Sequence, residues 1–186
     1  MKLVKIILFL LISFNTSLIA NSGDNVQSIL NKGGKLIFIR HAYAPGGGDP
    51  DNFDISNCVS QRNLNEEGIE QAKKIGKFFL EKNIIIDKIL SSEWCRCKQT
   101  AEYAFKNYET KSFLNSFFSQ RFADKKDKQI KELIEYIKKW NGKSNLIFVT
   151  HYVVILETLN ISVSSGEIVV ADKDLNILAR QKTSNN

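Results

Sequence analysis

The sequence predicts an α/β fold in three layers, with helices on both faces of a mostly parallel central sheet. Short apolar runs typical of buried parallel strands alternate along the chain with stretches of helical periodicity. The 186 residues, 43% of them hydrophobic, can build one well-buried domain, and no change in composition marks a second one. Moderate charge and the lack of any repeat exclude collagen-like, coiled-coil and wholly disordered classes.

The first twenty residues differ from everything that follows them. Lys2 and Lys5 flank and enter a strongly apolar run, and the small residue Ala20 closes the segment. This layout predicts a secretory signal peptide over residues 1–20, whose cleavage leaves a single domain over residues 21–186. A retained anchor is the alternative, although the apolar run is shorter than the roughly 20 residues that span a membrane. We therefore expect a periplasmic or secreted protein without stable membrane insertion after cleavage.

Five apolar segments are predicted to be strands. In chain order they cover residues 35–39, 84–90, 146–149, 168–170 and 175–178. The first three are each followed directly by polar residues, which the fold would place at the carboxyl edge of the sheet. The last two are short and joined by the turn Asp172-Lys173-Asp174, so we expect them to be edge strands.

Helical periodicity predicts four helices between these strands. The first is capped by Asn65, and apolar residues recur on one of its faces over residues 69–79. The second helix covers residues 95–105, the third covers residues 125–140, and the fourth begins just after His151. Lysines dominate the third helix, which predicts a solvated face on an amphipathic helix. A membrane-surface helix is less favoured there, because acids and amides lie among the lysines.

A long loop connects the first strand to the first of these helices. Residues 42–64 are rich in glycine and aspartate. This segment is longer than an ordinary connection between a strand and a helix. Such a loop at the carboxyl end of a strand indicates a functional segment. Its sequence Gly46-Gly47-Gly48-Asp49-Pro50 lacks the Gly-Lys-Ser/Thr of a nucleotide-binding loop, so a flexible loop is the better interpretation.

Histidine and arginine supply the reactive groups. The chain has two histidines, and both follow predicted strands, His41 directly after Arg40 and His151 after the late strand. Arg96 follows a third strand. Because ligands bind outside the carboxyl ends of strands in open α/β sheets, we expect these residues to meet at one site. Guanidinium groups match phosphate oxygens, and a neutral imidazole is a competent nucleophile near neutral pH.

Charge and cysteine content limit the other partners. The formal net charge of +6 is mild and suits a small anionic ligand, and we expect no nucleic-acid partner. Cys58, Cys95 and Cys97 follow no zinc-binding pattern, so we expect no metal and no other cofactor. In an oxidising compartment one disulfide is expected, which joins Cys58 to Cys95 or to Cys97 and leaves one free thiol.

The motifs resemble those of the histidine phosphatase superfamily, also called phosphoglycerate mutase-like. Four motifs follow the family's order, namely Arg40-His41-Ala42, Leu64-Asn65-Glu66-Glu67-Gly68, the block from Ser91 to Ala101, and Thr150-His151. Ala42 replaces the glycine of the family's Arg-His-Gly motif. This variant and the small size suggest the compact phosphatases and not the mutases with their long insertions. The resemblance implies a phosphoglycerate mutase-like fold.

The resemblance also implies phosphoryl transfer through a phosphohistidine. His41 would attack phosphorus, Arg40 and Arg96 would hold its oxygens, and His151 would donate a hydrogen bond to the transferring group. Water would then cleave the phosphoenzyme, which makes the protein a phosphomonoester hydrolase for a small phosphorylated substrate. Arg62 is a weaker candidate for the rim of the phosphate pocket.

A general acid is missing from its usual positions. The family places a carboxylate after the arginine helix or directly after the second histidine, and neither residues 114–118 nor the residue after His151 supplies one. Among the loop acids Asp49, Asp51 and Asp54 we favour Asp49, because the glycines before it let the backbone approach the phosphate. Two alternatives stay open, a phospho-ligand-binding protein with lost or weak turnover and a phosphotransferase or mutase.

Overall fold

The computed structural model describes residues 22–183, and the predicted signal peptide over residues 1–20 lies outside them. The helices are α1 (Ser22–Leu30), α2 (Glu66–Glu81), α3 (Cys95–Phe105), α4 (Lys126–Lys139) and α5 (Tyr152–Leu159). The strands are β1 (Leu36–Arg40), β2 (Ile86–Ser91), β3 (Glu109–Thr110), β4 (Asn145–Thr150), β5 (Ile168–Ala171) and β6 (Ile177–Gln181). Within the described part of the chain, no helix has the length and apolar character needed to cross a membrane.

The strands form one sheet in the order β3-β2-β4-β1-β5-β6. The four strands from β3 to β1 are parallel, whereas β5 runs antiparallel to β1 and β6 runs antiparallel to β5. The prediction of a mostly parallel sheet is therefore confirmed. The expectation that residues 168–170 form an edge strand is wrong, because β5 pairs on both sides and all four of its residues are buried.

Alternate side chains of the sheet face two separate apolar cores. In β1, Leu36 and Phe38 pack with residues of α4 and α5, while Ile37 and Ile39 pack with residues of α1, α2 and α3. This alternation is the one expected of a sheet that is buried on both faces. Helices thus cover both faces of the sheet, and the three-layer prediction is confirmed.

The parallel strands β1, β2 and β4 end side by side. Their register pairs Arg40 with Thr150 and Ser91 with Val149. The backbone N–H of His41 donates to the carbonyl oxygen of Thr150 at 2.9 Å, which carries the alignment one residue past the strands. The residues that follow the three strands therefore emerge together, at the edge of the sheet where α/β folds bind ligands.

The long loop after β1 is held against the start of α2. The side-chain oxygen of Asn65 accepts the N–H of Gly68 at 3.0 Å, which confirms the predicted cap. A Cβ atom at Gly68 would overlap the backbone oxygen of Tyr43. Glycine is required at this position because the helix packs directly on the backbone that follows His41.

Candidate active site

His41 lies directly after β1 and has only 3% of its surface exposed. Its Nδ1 lies 2.8 Å from the carbonyl oxygen of Ala42. Because a carbonyl oxygen can only accept, Nδ1 carries the ring proton and Nε2 keeps its lone pair. The contact uses the backbone of residue 42, so alanine serves there as well as the glycine of an Arg-His-Gly motif. His41 Nε2 is therefore the atom that can act as a nucleophile.

Arg96 lies in the first turn of α3 and directs its guanidinium at His41. Its Nε donates to His41 Nε2 at 3.2 Å. Its Nη1 and Nη2 donate to the carboxylate of Asp49 at 2.6 and 3.2 Å. The planar fork thus holds an oxyanion beside the nucleophilic nitrogen, which is the arrangement that phosphoryl binding needs.

Asp49 reaches this point from the middle of the long loop. Besides Arg96, its carboxylate accepts the indole N–H of Trp94 at 3.2 Å. Gly46 and Gly48, just before it, have φ angles of +89° and +69°. Side chains rarely adopt these angles, so the glycines allow the loop to turn over the cavity. The structure therefore brings Asp49 to the site that the strand ends form.

Arg40 and Arg62 add two further guanidinium groups. Arg40 Nη1 donates to the carbonyl oxygen of Val163 at 2.8 Å, and Arg62 Nη1 donates to those of Ala44 and Gly46 at 3.1 and 2.5 Å. Among the described residues, the Nε atom of each arginine is buried and has no partner. Burial lowers the pKa of both guanidinium groups, yet they stay charged at neutral pH. Both side chains line the cavity beside His41, so their guanidinium groups can bind a ligand oxygen there.

His151 completes a cavity of about 220 Å³ beside these groups. Its ring meets that of His41 edge-on, with 5.5 Å between ring centres. Its Nε2 lies 2.9 Å from Ser92 Oγ. Six charged or histidine side chains contribute to its lining, namely Arg40, His41, Asp49, Arg62, Arg96 and His151. Three guanidinium groups face one carboxylate there, so the cavity is positively charged and suits an anion.

Both histidines are neutral in this environment. Burial lowers the pKa of His41 and of His151 well below the usual value, and the positive charge of Arg96 lowers it further. Neutral His41 keeps the lone pair of Nε2 at physiological pH, as a nucleophile requires.

These lowered pKa values predict how the stability depends on pH. An unfolded histidine titrates near about pH 6.5, so below that pH the unfolded chain binds more protons than the folded one. The free energy of unfolding is therefore unaffected above about pH 6.5 and falls below it, by up to about 1.4 kcal/mol per pH unit for each histidine. Urea unfolding at several acidic pH values should give a shallower fall for His41→Gln and for His151→Gln than for the parent. An equal fall in the parent and in both variants would contradict the lowered pKa values of the two histidines.

The structure joins Cys58 to Cys95 and leaves Cys97 as a buried free thiol. The disulfide ties the long loop to the first residue of α3, next to Arg96. Cys97 Sγ lies 3.4 Å from His151 Nε2, and burial raises the pKa of this thiol to about 12, so it stays neutral. Within residues 22–183, no cluster of three or more His, Cys, Asp or Glu could hold a metal ion.

Uncharged polar residues also support the site, and the sequence pattern alone assigns them no role. Thr100 Oγ1 accepts the N–H of Ala42 at 2.9 Å and donates to the carbonyl oxygen of Arg96 at 2.7 Å. It therefore joins α3 to the backbone that orients His41. Ser92 Oγ donates to Asn115 Oδ1 at 3.0 Å on the side of His151. Thr100 lies within a motif, but no sequence signal links Ser92 to Asn115.

A larger cavity of about 680 Å³ shares Ser116 with the histidine cavity. The rings of Phe53 and Phe122 contribute to its wall, with 5.6 Å between ring centres. Arg121 and Lys125 lie over the Phe122 ring, at 5.3 and 5.2 Å from its centre. This cavity therefore offers aromatic surface beside the histidines, and its charged lining is mixed, with Arg121, Lys125 and Lys128 on one side of the balance and Asp54, Glu93 and Glu132 on the other.

The three-layer fold and the strand-end histidine among arginines together define the class of protein. The family model of the histidine phosphatase superfamily (branch 1) matches residues 36–144, more than half of the chain, and the chain belongs to this superfamily. His151 lies just beyond the matched residues. No match was found among curated proteins.

Solved structures of similar fold cover most of the chain. The protein histidine phosphatase SixA, solved with tungstate, is 14% identical with a TM-score of 0.56, over 81% of this chain and 97% of that one. A phosphoglycerate mutase from Thermus thermophilus is 15% identical with a TM-score of 0.58, over 81% of this chain and 99% of that one. At these identities the likeness establishes the fold and leaves the reaction to be argued from the site.

Proposed function

We propose that the protein is an exported phosphomonoester hydrolase that acts on a small phosphorylated substrate through a phosphohistidine at His41. The observation that carries this proposal is that His41 Nε2, which bears the lone pair of the ring, lies at a cavity lined by Arg40, Arg62 and Arg96. The similarity to a SixA protein solved with tungstate supports it, because tungstate is a tetrahedral oxyanion like phosphate.

The geometry suits a two-step reaction. In the first step, His41 Nε2 attacks phosphorus, the N–P bond forms and the bond to the leaving oxygen breaks. Arg40, Arg62 and Arg96 bind the phosphoryl oxygens, and their fixed charges stabilise the negative charge of the transition state. In the second step, water attacks phosphorus and the lone pair returns to His41. The pocket thus supplies position and charge, which account for most of the catalysis of phosphoryl transfer.

The larger cavity beside Ser116 is suited to the organic part of the substrate. Its position next to the histidine cavity lets a leaving group extend there while the phosphoryl group stays beside His41. The rings of Phe53 and Phe122 favour a leaving group with apolar or planar surface, and the mixed charges around them set no preference for the sign of its charge.

Export is the part of the proposal that rests on the N-terminal segment. The basic flank, the apolar run and Ala20 are typical of a cleaved signal peptide. The disulfide between Cys58 and Cys95 supports the same location, because disulfides persist in oxidising compartments. Mass spectrometry of protein recovered outside the cytoplasm should find a chain that begins near Asn21. A cytoplasmic chain that begins at Met1 would contradict export.

Release of inorganic phosphate from an aryl phosphate tests the hydrolase directly. We expect steady release of phosphate and aryl alcohol in equal amounts, with only minor transfer to an added alcohol such as glycerol. Predominant transfer to the alcohol would favour the phosphotransferase alternative. Tungstate binding without any turnover would favour the phospho-ligand-binding alternative.

Asp49 is the group that we propose as general acid. Without a ligand, its carboxylate accepts hydrogen bonds from Nη1 and Nη2 of Arg96. A phosphoryl group would bind the same two donors. Once the phosphoryl group takes these donors, the carboxyl is released from Arg96 and lies beside the phosphoryl group. A protonated carboxyl at this place can deliver a proton to the leaving oxygen.

Aryl phosphates with graded leaving-group pKa test this role. In Asp49→Asn, kcat for the poorest leaving groups should fall about 10²-fold, because positioned proton transfer contributes at least that much. Activated esters should lose far less, so log kcat should depend more steeply on leaving-group pKa. Asp51→Asn changes an exposed loop acid that lines neither cavity, and it serves as the control with the parental slope. An unchanged slope in Asp49→Asn would exclude Asp49 as the acid.

A further inference from the structure

Ser92 lies between the second histidine and a neutral amide. Its Oγ is 2.9 Å from His151 Nε2 and 3.0 Å from Asn115 Oδ1, and it accepts the N–H of Trp94 at 3.2 Å. Ser92, Asn115 and His151 are all buried, so their polar atoms depend on one another for hydrogen bonds. Of these three residues, His151 lines the histidine cavity, whereas Ser92 and Asn115 do not.

The orientation of the Asn115 amide is fixed from both ends. Its Oδ1 accepts the backbone N–H of Glu93 at 2.8 Å, and its Nδ2 donates to Glu93 Oε2 at 2.6 Å. A reversed amide would turn NH₂ toward an N–H donor and oxygen toward a carboxylate, so only one orientation satisfies both contacts. Asn115 therefore presents to Ser92 an oxygen that can only accept.

The hydrogens of this cluster then allow one arrangement. Ser92 has a single hydroxyl hydrogen, and Asn115 Oδ1 must receive it because that oxygen has none to give. The lone pairs of Ser92 Oγ are left for the N–H of Trp94 and for His151 Nε2, so Nε2 must carry a hydrogen. The neutral thiol of Cys97, at 3.4 Å from Nε2, is only a weak hydrogen-bonding partner.

We propose that Ser92, Asn115 and Glu93 are positioning residues that hold neutral His151 as the Nε2–H tautomer and leave Nδ1 as its proton acceptor. His41 has the opposite tautomer, with its hydrogen on Nδ1. The single N–H of His151 thus points to Ser92, so the ring can donate to a phosphoryl group only after it has gained a second proton.

This tautomer gives His151 a role in the second step, and that role rests on the proposed function. The oxygen of water bonds to phosphorus, the P–N bond breaks, and its electron pair returns to His41 Nε2. The proton that the water loses goes to His151 Nδ1. The Nδ1–H tautomer could not accept this proton at Nδ1, so loss of the positioning contact should slow the decay of the phosphoenzyme.

Imidazole ¹⁵N NMR tests the tautomer without any turnover. The chain has only two histidines, and His41→Gln assigns their signals. The parent should show one Nδ1–H ring and one Nε2–H ring. Asn115→Leu frees the hydroxyl hydrogen of Ser92 for His151 Nε2, so His151 should change to the Nδ1–H tautomer. Ser92→Ala should give a mixture, and Ser92→Thr should retain Nε2–H.

Ser91→Ala is the matched control, because Ser91 Oγ donates only to the carbonyl of Ser92 and should leave both tautomers unchanged. An Nδ1–H form of His151 in the parent, or an unchanged Nε2–H form in both Ser92→Ala and Asn115→Leu, overturns the proposal. In single-turnover experiments with acetyl phosphate, Asn115→Leu should slow decay of the label about 10²-fold and its formation far less. Failure of the parent to take any label would refute the proposed function, while the NMR result still decides the tautomer.

Discussion

Replacement of His41 with alanine is expected to abolish both phosphate release and labelling by a phosphoryl donor. His41 Nε2 bears a lone pair beside Arg96, at the cavity that the arginines line, and alanine offers no substitute. With radiolabelled acetyl phosphate, the parent should acquire a label that is labile in acid and stable in base, as expected of a phosphoramidate. His41→Ala should acquire none.

Two further variants, His151→Ala and His41→Asn, separate loss of the nucleophile from damage to the pocket. His151→Ala keeps His41 and its contact with Ala42, so it should still take the label and release it slowly. His41→Asn should fold normally by circular dichroism, because the backbone N–H of residue 41 still donates to Thr150. Label on His41→Ala that equals the parental amount would remove His41 from the mechanism.

The fold could be predicted as far as local pattern determines it. Apolar runs followed by polar residues located β1, β2 and β4, and those three strands carry the site. The order of strands in the sheet depends on pairing between distant segments, which hydrophobic pattern does not encode. This explains the error at residues 168–170, whose shortness suggested an edge although β1 and β6 cover both sides of β5.

The candidate site likewise has a part that the sequence predicts and a part that it does not. Arg40, His41, Arg96 and His151 could be predicted to lie together because each lies at or soon after the end of a strand and carries a chemistry suited to phosphate. The contact of Arg96 with Asp49 joins residues 47 positions apart, and its geometry is set by how the glycine loop turns.

The contact of Ser92 with Asn115 escaped prediction for a further reason. It spans 23 positions and involves two neutral residues that occur in every kind of structure. A serine and an asparagine carry no signature of catalysis by themselves. Their role follows only from the count of hydrogens around His151, which requires the atoms in place.

Loss of Arg96 should have the second-largest effect on turnover. Its guanidinium is buried, contacts the nucleophilic nitrogen through Nε and holds an oxyanion through Nη1 and Nη2. Removal of one such donor to transition-state charge typically costs about 10²–10³ in rate. We therefore expect kcat/KM of Arg96→Ala to fall by at least about 10²–10³, with a larger effect on kcat than on KM.

Arg96→Lys distinguishes the planar fork from simple positive charge. A lysine ammonium is a compact point charge, so it cannot contact His41 through one nitrogen while two others bind an oxyanion. Lysine should therefore restore little of the lost kcat/KM. Burial and the positive charge of Arg96 lower the pKa of His41. Only Arg96→Ala removes that charge, so its acid limb of activity should move to higher pH. Lys98 lies two residues after Arg96 in α3. Lys98→Ala is therefore the control and should keep parental kinetics. Near-parental kcat/KM in Arg96→Lys would show that charge alone is sufficient and that the fork has no part in holding the phosphoryl group.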